Sequence, residues 1–282
     1  MRHLRAALVQ LSVGDDPAAN LPATVGFVRE AAARGATLVL TPEVTNLISS
    51  DRAHHAAMLR TEADDPTLAA LRTEVARLGV WLSIGSLALK AEDPAERRFV
   101  NRSLLIDPQG RIAARYDKIH MFDVTISDRE FYRESARCRP GDRAVLAQGP
   151  VPIGLTVCYD LRFPHLYRRL ARAGAQLLTV PAAFNDTTGA AHWDVLLRAR
   201  AIETGCFVLA AAQCGTHPAP HAPDRPPRRS HGHSLAVAPW GEVLADGGTE
   251  PGVTIVDLDL AAVADARRRV PAWRHDPVIW GP

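Results

Sequence analysis

The chain has 282 residues, of which 47% are hydrophobic and 23% charged, and its formal net charge is +2. This length is enough for one large α/β domain or two small ones, and so small a charge surplus gives no reason to expect a nucleic-acid partner. No apolar stretch approaches the roughly 18 residues of a membrane span, so we expect no membrane partner, and the N-terminus lacks the apolar region and cleavage site of a secretory signal.

Apolar runs bounded by turn residues predict strands at residues 4–11, 36–40, 80–87, 100–107, 111–116, 153–157, 176–180, 207–213, 235–238, 242–245 and 253–258. Helices, most of them starting near Pro or ending before Gly, are predicted at residues 17–34, 66–78, 163–173, 190–204 and 260–269. Strands and helices alternate, but adjacent hairpins interrupt the βαβ rhythm. This pattern indicates mixed sheets in a layered α/β fold. No linker or repeat divides the chain, so we expect a single domain over residues 1–282.

The stretch from Thr216 to Ser230 differs from its surroundings because it is rich in Pro, His and Arg. A segment so polar and so rich in Pro is a poor candidate for packing, which predicts a mobile loop inserted at the surface over residues 216–230. It can act as a lid over a site or be an insertion without a function, and the sequence leaves both readings open.

Four cysteines are present, at Cys138, Cys158, Cys206 and Cys214, and none forms a Cys-x-x-Cys pair. A chain of this length does not need disulfides to fold, so we expect a reducing, cytoplasmic compartment. Cys206 and Cys214 lie inside or beside apolar runs and are predicted to pack as small hydrophobic residues. Cys138 lies in an Arg-rich loop and is expected to be an exposed bystander.

Three polar residues each come just after a predicted strand: Glu43, Lys118 and Cys158. Ligands of α/β proteins bind beyond the carboxyl ends of the strands, so a carboxylate, an ammonium and a thiol at three such ends can converge on one pocket. The thiolate form of a cysteine is the nucleophile, and it needs a base or a cation beside it. We therefore predict a hydrolase in which Cys158 is the nucleophile, Glu43 the base and Lys118 the cation.

A Cys–His pair is an alternative arrangement, because the chain has eleven histidines. Four of them lie in predicted surface helix or loop, with no pattern tying them to the thiol: His54, His55, His217 and His221. A Gly-x-Cys-x-Gly elbow is absent because Val157 and Tyr159 flank the cysteine. His231 and His233 offer further imidazoles, but no cysteine or carboxylate spacing of the zinc type accompanies them. We expect neither a metal nor another cofactor.

Three segments resemble the signature segments of the nitrilase superfamily, the carbon–nitrogen hydrolases: Thr41-Pro42-Glu43, the run from Tyr116 to Asp123, and the run from Cys158 to Pro164. Their order and wide spacing match that superfamily, and the resemblance extends over nearly the whole chain. It implies a nitrilase-like α/β fold, a four-layer α-β-β-α sandwich with mixed sheets. It also implies pairing through helices, so a homodimer or a larger homo-oligomer is expected.

Within the superfamily, the chain is similar to the branch of omega-amidases and deaminated-glutathione amidases, through segments at 134–142, 191–204 and 231–242. The run from Ala210 to Gly215 favours deaminated-glutathione amidases, whereas Phe184 to Gly189 favours omega-amidases. True nitrilases carry Trp-Glu after the nucleophile, so Tyr159-Asp160 argues against nitrile substrates.

The resemblance implies that Cys158 attacks an amide carbonyl while Glu43 takes its proton. Lys118 and the backbone N–H of Tyr159 are then expected to hold the oxyanion. Glu134 matches the second glutamate of the family, which helps to position the substrate and the lysine. The alternative for Glu134 is a surface carboxylate paired with a neighbouring arginine.

Three further residues are predicted to bind the substrate: Arg162, Phe184 and Asn185. Arg162 can bind a substrate carboxylate through two parallel hydrogen bonds, or it can form a structural ion pair with Asp160 or another acid. Both readings of Arg162 stay open from the sequence.

These inferences predict a thiol-dependent amidase for linear amides, which forms a Cys thioester and releases ammonia. The expected substrate is a small carboxylate-bearing amide, with deaminated glutathione first. Alternatives are an omega-amidase acting on 2-oxoglutaramate, an N-carbamoyl amino-acid amidohydrolase, and a catalytically silent binding relative. A cysteine protease is a weaker alternative.

Overall fold

The computed structural model describes residues 3–128, 130–224, 227–275, 277, 278, 280 and 281. Residues 225 and 226 of the predicted loop, and residues 1, 2 and 282 of the predicted domain, lie outside the described residues. The strands are β1 (His3–Gln10), β2 (Leu38–Leu40), β3 (Trp81–Lys90), β4 (Phe99–Ile106), β5 (Ile112–Asp117), β6 (Asp123–Ser127), β7 (Glu130–Arg133), β8 (Val145–Gln148), β9 (Pro152–Leu155), β10 (Leu177–Thr179), β11 (Phe207–Ala210), β12 (Cys214–Thr216), β13 (Arg229–His231), β14 (Leu235–Val237), β15 (Val243–Asp246) and β16 (Gly252–Asp259). The helices are α1 (Pro17–Ala33), α2 (Arg52–Met58), α3 (Pro66–Leu78), α4 (Pro164–Arg172), α5 (Asp186–Thr204) and α6 (Ala261–Arg269).

Two six-stranded sheets form the framework. The first has the order β16-β1-β2-β3-β4-β5 and the second the order β15-β14-β11-β10-β9-β8. In each sheet three central strands are parallel, and the outer strands join them in antiparallel pairs. The predicted mixed sheets are therefore confirmed.

The alternation of side chains along β1 shows how the layers are stacked. Ala6 and Leu8 point into the core shared with the second sheet and with α4 and α5. Ala7 and Val9 point to the opposite face, into the core formed with α1 and α3. Successive side chains of a strand face opposite sides of its sheet, so the two sheets lie against each other with helices outside. This is the α-β-β-α order that the family resemblance implied.

Capping residues set the helix boundaries. The side chains of Asp16 and Asp65 accept backbone hydrogen bonds at the starts of α1 and α3. The helix α5 begins at Asp186 instead of the predicted Ala190, because Asn185 Oδ1 accepts a hydrogen bond from Thr188 N at 3.2 Å. Within the described residues, no helix is both long enough and apolar enough to cross a membrane.

Several short elements were not predicted: α2, the hairpin of β6 and β7, the edge strand β8, and the pair β12–β13. Each is short and polar or lies at an edge, so its hydrophobic pattern is weak. The last pair lies at the two ends of the predicted loop, where Cys214 to Thr216 pairs with Arg229 to His231. The ends of that segment are therefore held in a sheet, and mobility of the remainder stays a prediction.

Three predictions of exposed side chains were wrong, and the first concerns His55, which is buried on α2. His217 is buried, because Nδ1 lies 2.8 Å from Val13 O and Nε2 lies 2.7 Å from Ser230 Oγ. Cys138 is also fully buried, since its segment turns back and its N–H donates to Glu134 O at 2.8 Å. Local composition suggested a surface loop at His217 and at Cys138, but tertiary contacts decided otherwise. The predicted packing of Cys206 and Cys214 is confirmed, as both are fully buried.

The two sheets approach each other closely beside the end of β2. A Cβ added to Gly85 of β3 would lie 2.1 Å from Thr41 O and 2.4 Å from Pro42 O. It would also lie 2.4 Å from Cβ of Pro181, which follows β10 in the second sheet. Only glycine fits this position, and the segment that carries Glu43 depends on it.

Replacement of Gly85 by Ala should lower the free energy of unfolding by about 1–3 kcal/mol or more, because backbone atoms must move to admit the methyl group. Chemical denaturation measures this change. The matched control is Gly26→Ala in exposed α1, where nothing lies within 4 Å of an added Cβ. That variant should be about 0.5–1 kcal/mol more stable than the parent. Equal stabilities for the two variants would contradict this account.

Candidate active site

Glu43 is held in the interior beyond the end of β2, with only 4% of the residue exposed. Val44 has a φ of +48°, so the chain turns sharply directly after it. Oε1 of Glu43 accepts hydrogen bonds from Asn101 Nδ2 at 2.8 Å and Lys118 Nζ at 3.1 Å. Oε2 accepts from the backbone N–H of Ala183 at 2.8 Å. The carboxylate is therefore fixed in orientation by three donors.

Lys118 lies between two carboxylates. Its Nζ donates to Glu43 Oε1 at 3.1 Å and to both oxygens of Glu134, at 2.9 and 2.8 Å. Glu134 is fixed in turn, since its Oε2 accepts the N–H of Phe122 at 2.6 Å. The lysine is 2% exposed. Glu134 thus contacts the lysine, as the family resemblance implied, and not a neighbouring arginine.

Cys158 opens a short 3-10 helix, Cys158–Arg162, directly after β9 and two further residues. Its φ is +50°, a left-handed conformation that is unusual for a residue with a side chain. The N–H of Cys158 donates to Pro181 O at 2.9 Å, which ties this turn to the strand end of β10. Its thiol interacts with the carboxylate of Glu43. The predicted convergence of thiol, carboxylate and ammonium is therefore present.

The three groups shift one another's proton affinities. Burial raises the pKa of the Cys158 thiol well above its ordinary value, and the charge of Glu43 adds to this although Lys118 opposes it. Burial alone would raise the pKa of Glu43, but the charge of Lys118 and the thiol hydrogen bond outweigh it and hold the pKa low. Burial would lower the pKa of Lys118, yet the two carboxylates raise it. The resting site therefore holds a neutral thiol, a carboxylate and an ammonium.

These groups line a cavity of about 240 Å³. Tyr159 also lines it, and in the part of the chain that the structure describes its backbone N–H has no hydrogen-bond acceptor. The N–H of Cys158 is occupied by Pro181, so Tyr159 is the adjacent donor left available to a ligand. This geometry suits the predicted oxyanion role, which remains a prediction.

Asp160 supports the turn that carries the thiol. Its fully buried carboxylate accepts hydrogen bonds from Tyr116 Oη at 2.7 Å and from Val157 N at 2.8 Å. The backbone N and the Nδ1 of His120 lie 3.1 and 2.7 Å from it. Asp160 does not pair with Arg162, so the alternative of an ion pair between these two residues is wrong. The carboxylate of Asp160 therefore joins the segment that carries the thiol to the run from Tyr116 to His120.

Arg162 lies outside the residues that line the cavity. Its guanidinium faces the rings of Phe184 and Tyr159, at 5.3 and 5.9 Å, and contacts His192 Nδ1 at 3.3 Å. This placement does not support a direct contact with a substrate carboxylate. Phe184 and Asn185 line the cavity, and their role in substrate binding stays a prediction.

Several residues of the site were missed from the sequence. Asn101 and Gln213 both support Glu43, the first through its carboxylate and the second through its backbone carbonyl, at 3.0 Å from Gln213 Nε2. The signal was available, since each is a polar residue within an apolar run. Four arginines also line the cavity, and their separation in sequence hid the fact that they share it: Arg52, Arg133, Arg137 and Arg228.

The histidines do not form the predicted alternatives. No described histidine hydrogen-bonds to the thiol, and His55, which lines the cavity, is buried so that its pKa falls to about 4. His233 instead contacts Asp246, with Nδ1 3.0 Å from the carboxylate. Among the described residues, the grouping able to hold a metal is a different one, formed by Asp15, His54 and His221.

Known proteins resemble this chain over nearly its whole length. A family model described as carbon-nitrogen hydrolase matches residues 5–268. Deaminated glutathione amidase of Yersinia enterocolitica is 39% identical over 283 residues, covering 99% of this chain and 95% of that protein. The Homo sapiens protein of the same name is also 39% identical over 283 residues, covering 98% and 83% respectively. The crystal structure of the C. elegans NitFhit protein has a TM-score of 0.88 and 33% identity, and the match covers 98% of this chain and 65% of that one.

Replacement of Glu43 by Gln should lower the pKa of the Cys158 thiol. The negative charge that raises this pKa is removed while Lys118 remains. More thiolate is then present at a given pH, so the midpoint of Cys158 alkylation by iodoacetamide should move to lower pH. Intact-mass spectrometry of the native protein across neutral and alkaline pH follows the rate.

Exposed Glu242 provides the control, since Glu242→Gln removes the same charge elsewhere and should leave the midpoint unchanged. An unchanged or raised midpoint in Glu43→Gln would contradict the electrostatic coupling. Faster alkylation at Cys138, Cys206 or Cys214, which are all fully buried, would contradict the accessibility of Cys158.

Proposed function

Since the chain belongs to the carbon–nitrogen hydrolase family, as its motifs predicted, we propose that it hydrolyses the amide of deaminated glutathione through a thioester on Cys158. The observation that carries this proposal is the buried contact of Lys118 with Glu43 and Glu134, next to a thiol in the same cavity. Relatives named deaminated glutathione amidase support the choice of substrate.

The proposed reaction begins with proton transfer from Cys158 Sγ to Glu43, and the sulfur attacks the amide carbon. The negative charge that forms on the carbonyl oxygen is stabilised by the Lys118 ammonium and the free N–H of Tyr159, each worth about 3–4 kcal/mol if well placed. Glu43 returns its proton to the departing nitrogen as the C–N bond breaks. It then deprotonates a water molecule, which attacks the thioester carbon, and the thiol leaves reprotonated with a free carboxylic acid as product.

The leaving group from deaminated glutathione is not the ammonia that we expected from the sequence. Deaminated glutathione carries its scissile amide on the nitrogen of a cysteinylglycine unit, so this amide is secondary. Cleavage therefore releases 2-oxoglutarate and the amine cysteinylglycine, and not ammonia. Ammonia is the leaving group only for primary amides such as 2-oxoglutaramate, or together with carbon dioxide for N-carbamoyl amino acids.

These products separate the competing functions. Cysteinylglycine release marks the proposed activity, ammonia alone from 2-oxoglutaramate marks an omega-amidase, and ammonia with carbon dioxide marks an N-carbamoyl amino-acid amidohydrolase. A catalytically silent relative would release none of these products.

Wild-type protein should release cysteinylglycine from deaminated glutathione, and Cys158→Ala should release none. Glu43→Gln should lower kcat by about 10²- to 10⁴-fold, because it removes the general base while keeping the shape of the side chain. Chromatography of the free amine measures the product. Cys206→Ala, which removes a thiol outside the cavity, is the matched control and should retain activity. Undiminished turnover in Cys158→Ala would refute the mechanism.

We also propose that the molecule forms a homodimer through one apolar face. Large hydrophobic side chains are exposed there on α5, on the hairpin β14–β15 and beyond α6: Val195, Ile202, Trp240, Val243, Leu244 and Val270. Two contacts join α5, the hairpin and α6 at this surface: Ile202 packs on Gly241 of the hairpin, and Arg269 at the end of α6 stacks 3.8 Å from the centre of the Trp240 ring. Apolar patches of this kind are typical of protein interfaces.

Ile202→Glu should weaken this dimer, since it buries an unpaired charge between the copies. Size-exclusion chromatography with light scattering measures the mass. Ala18→Glu adds the same charge on exposed α1 and should leave the mass unchanged. A wild-type protein that is monomeric at micromolar concentration would overturn the proposed interface.

We also propose that the protein is located in the cytoplasm. All four cysteines are free thiols, which suits a reducing compartment. Fractionation of the source cells would test it.

A further inference from the structure

Three of the four arginines that line the active-site cavity come from widely separated parts of the chain, and the fourth, Arg133, donates to the carbonyls of Val124 and Tyr132. Arg52 is the first residue of α2, Arg137 follows the turn that begins with Glu134, and Arg228 directly precedes β13. Arg137 is partly buried, whereas Arg52 and Arg228 are exposed, so these three residues mark the route from the cavity to its mouth. We call them the arginine cluster.

Carboxylate charge offsets the cluster only in part, since Glu134 acts to raise the pKa of Arg137 and Arg228 acts to lower the pKa of Glu43. None of its three guanidinium groups forms an ion pair within the described residues, although the cavity wall is shared with Glu43 and Glu134. Both of those carboxylates are bonded to Lys118. With Arg133 included, the cavity wall therefore carries five cations against two carboxylates.

The arginines also repel one another. Burial lowers the pKa of Arg137, and the charges of Arg52 and Arg228 lower it further. Like charges that face a shared cavity and are only partly offset by carboxylates raise the energy of the empty site, and an anionic ligand relieves this cost. Guanidinium groups bind carboxylates well because they offer two parallel donors.

Arg228 is connected to the base of the proposed reaction through one residue. Its Nη2 donates to Ala183 O at 2.7 Å, and the N–H of Ala183 donates to Glu43 Oε2 at 2.8 Å. Glu43 is the group that would return a proton to the departing nitrogen. The nitrogen of the leaving group must approach Glu43 to receive this proton. The rest of the leaving group therefore lies along the cavity wall that carries Arg228.

Building on the proposed function, we propose that Arg52, Arg137 and Arg228 form a subsite for a carboxylate on the leaving-group side of the substrate. In deaminated glutathione this is the carboxylate of the terminal glycine. The subsite selects secondary amides with an anionic amine product over primary amides, whose leaving group has no carboxylate. It also makes the segment 216–230 a determinant of specificity, because that segment supplies Arg228.

The test compares deaminated glutathione with the same compound carrying a C-terminal carboxamide, which removes only the leaving-group charge. Wild-type kcat/KM should be about 10- to 100-fold higher for the acid, the range expected for hydrogen bonds to a charged group. Arg228→Gln should bring the acid-to-amide ratio close to one, mainly through KM, and Arg228→Lys should restore part of it. Arg143→Gln, at an arginine outside the cavity, is the control.

Binding to Cys158→Ala, which cannot turn over, gives a second readout by calorimetry. Tighter binding of the acid than of the amide, with the difference lost on adding Arg228→Gln, supports the subsite. Equal binding of both compounds, or an unchanged ratio in Arg228→Gln, overturns it even if the wild type hydrolyses deaminated glutathione. If the wild type hydrolyses neither compound, the proposed function fails, and the binding comparison still decides the subsite.

Discussion

The buried ammonium of Lys118, held between Glu43 and Glu134, is the interaction on which the site depends. Taking one ammonium and two carboxylates out of water is costly, and removal of one partner from such a group typically costs about 3–5 kcal/mol. The contacts must therefore be good, and each carboxylate has a further donor, from Asn101 and Ala183 in one case and Phe122 in the other. This arrangement keeps Glu43 ionised beside a thiol that stays protonated until a substrate arrives.

The packing of one sheet on the other creates that arrangement. Glu43 and Lys118 follow strands of the first sheet, whereas Cys158 follows β9 of the second. The ends of these strands meet where Thr41 and Pro42 approach Pro181 across Gly85. A change in sheet spacing would separate the thiol of Cys158 from the carboxylate of Glu43, so the close contact at Gly85 positions the candidate site as well as the core.

The thiol turn is held in an unfavourable conformation by polar contacts around it. A left-handed non-glycine residue costs roughly 1–3 kcal/mol and persists only where its surroundings enforce it. Here Asp160 binds Val157 on one side and Tyr116 and His120 on the other, while Pro181 accepts the N–H of Cys158. Tyr159, which follows in this turn, lines the cavity, and its N–H has no acceptor among the described residues. The same carboxylate thus couples the thiol segment to the strand that carries the lysine.

The sequence by itself determined the fold class, most of the longer helices and strands, and the three residues Glu43, Lys118 and Cys158. Those features are local, since periodic apolar runs specify helices and strands, and Pro and Gly residues set their boundaries. A polar residue just after a strand lies at the end where α/β proteins bind ligands. It did not reveal that His217 and Cys138 are buried, that Arg162 lies outside the cavity, or that Arg52, Arg137 and Arg228 meet. Burial and charge clustering depend on which distant segments come together, and only the packing of the two sheets and their connecting segments decides that.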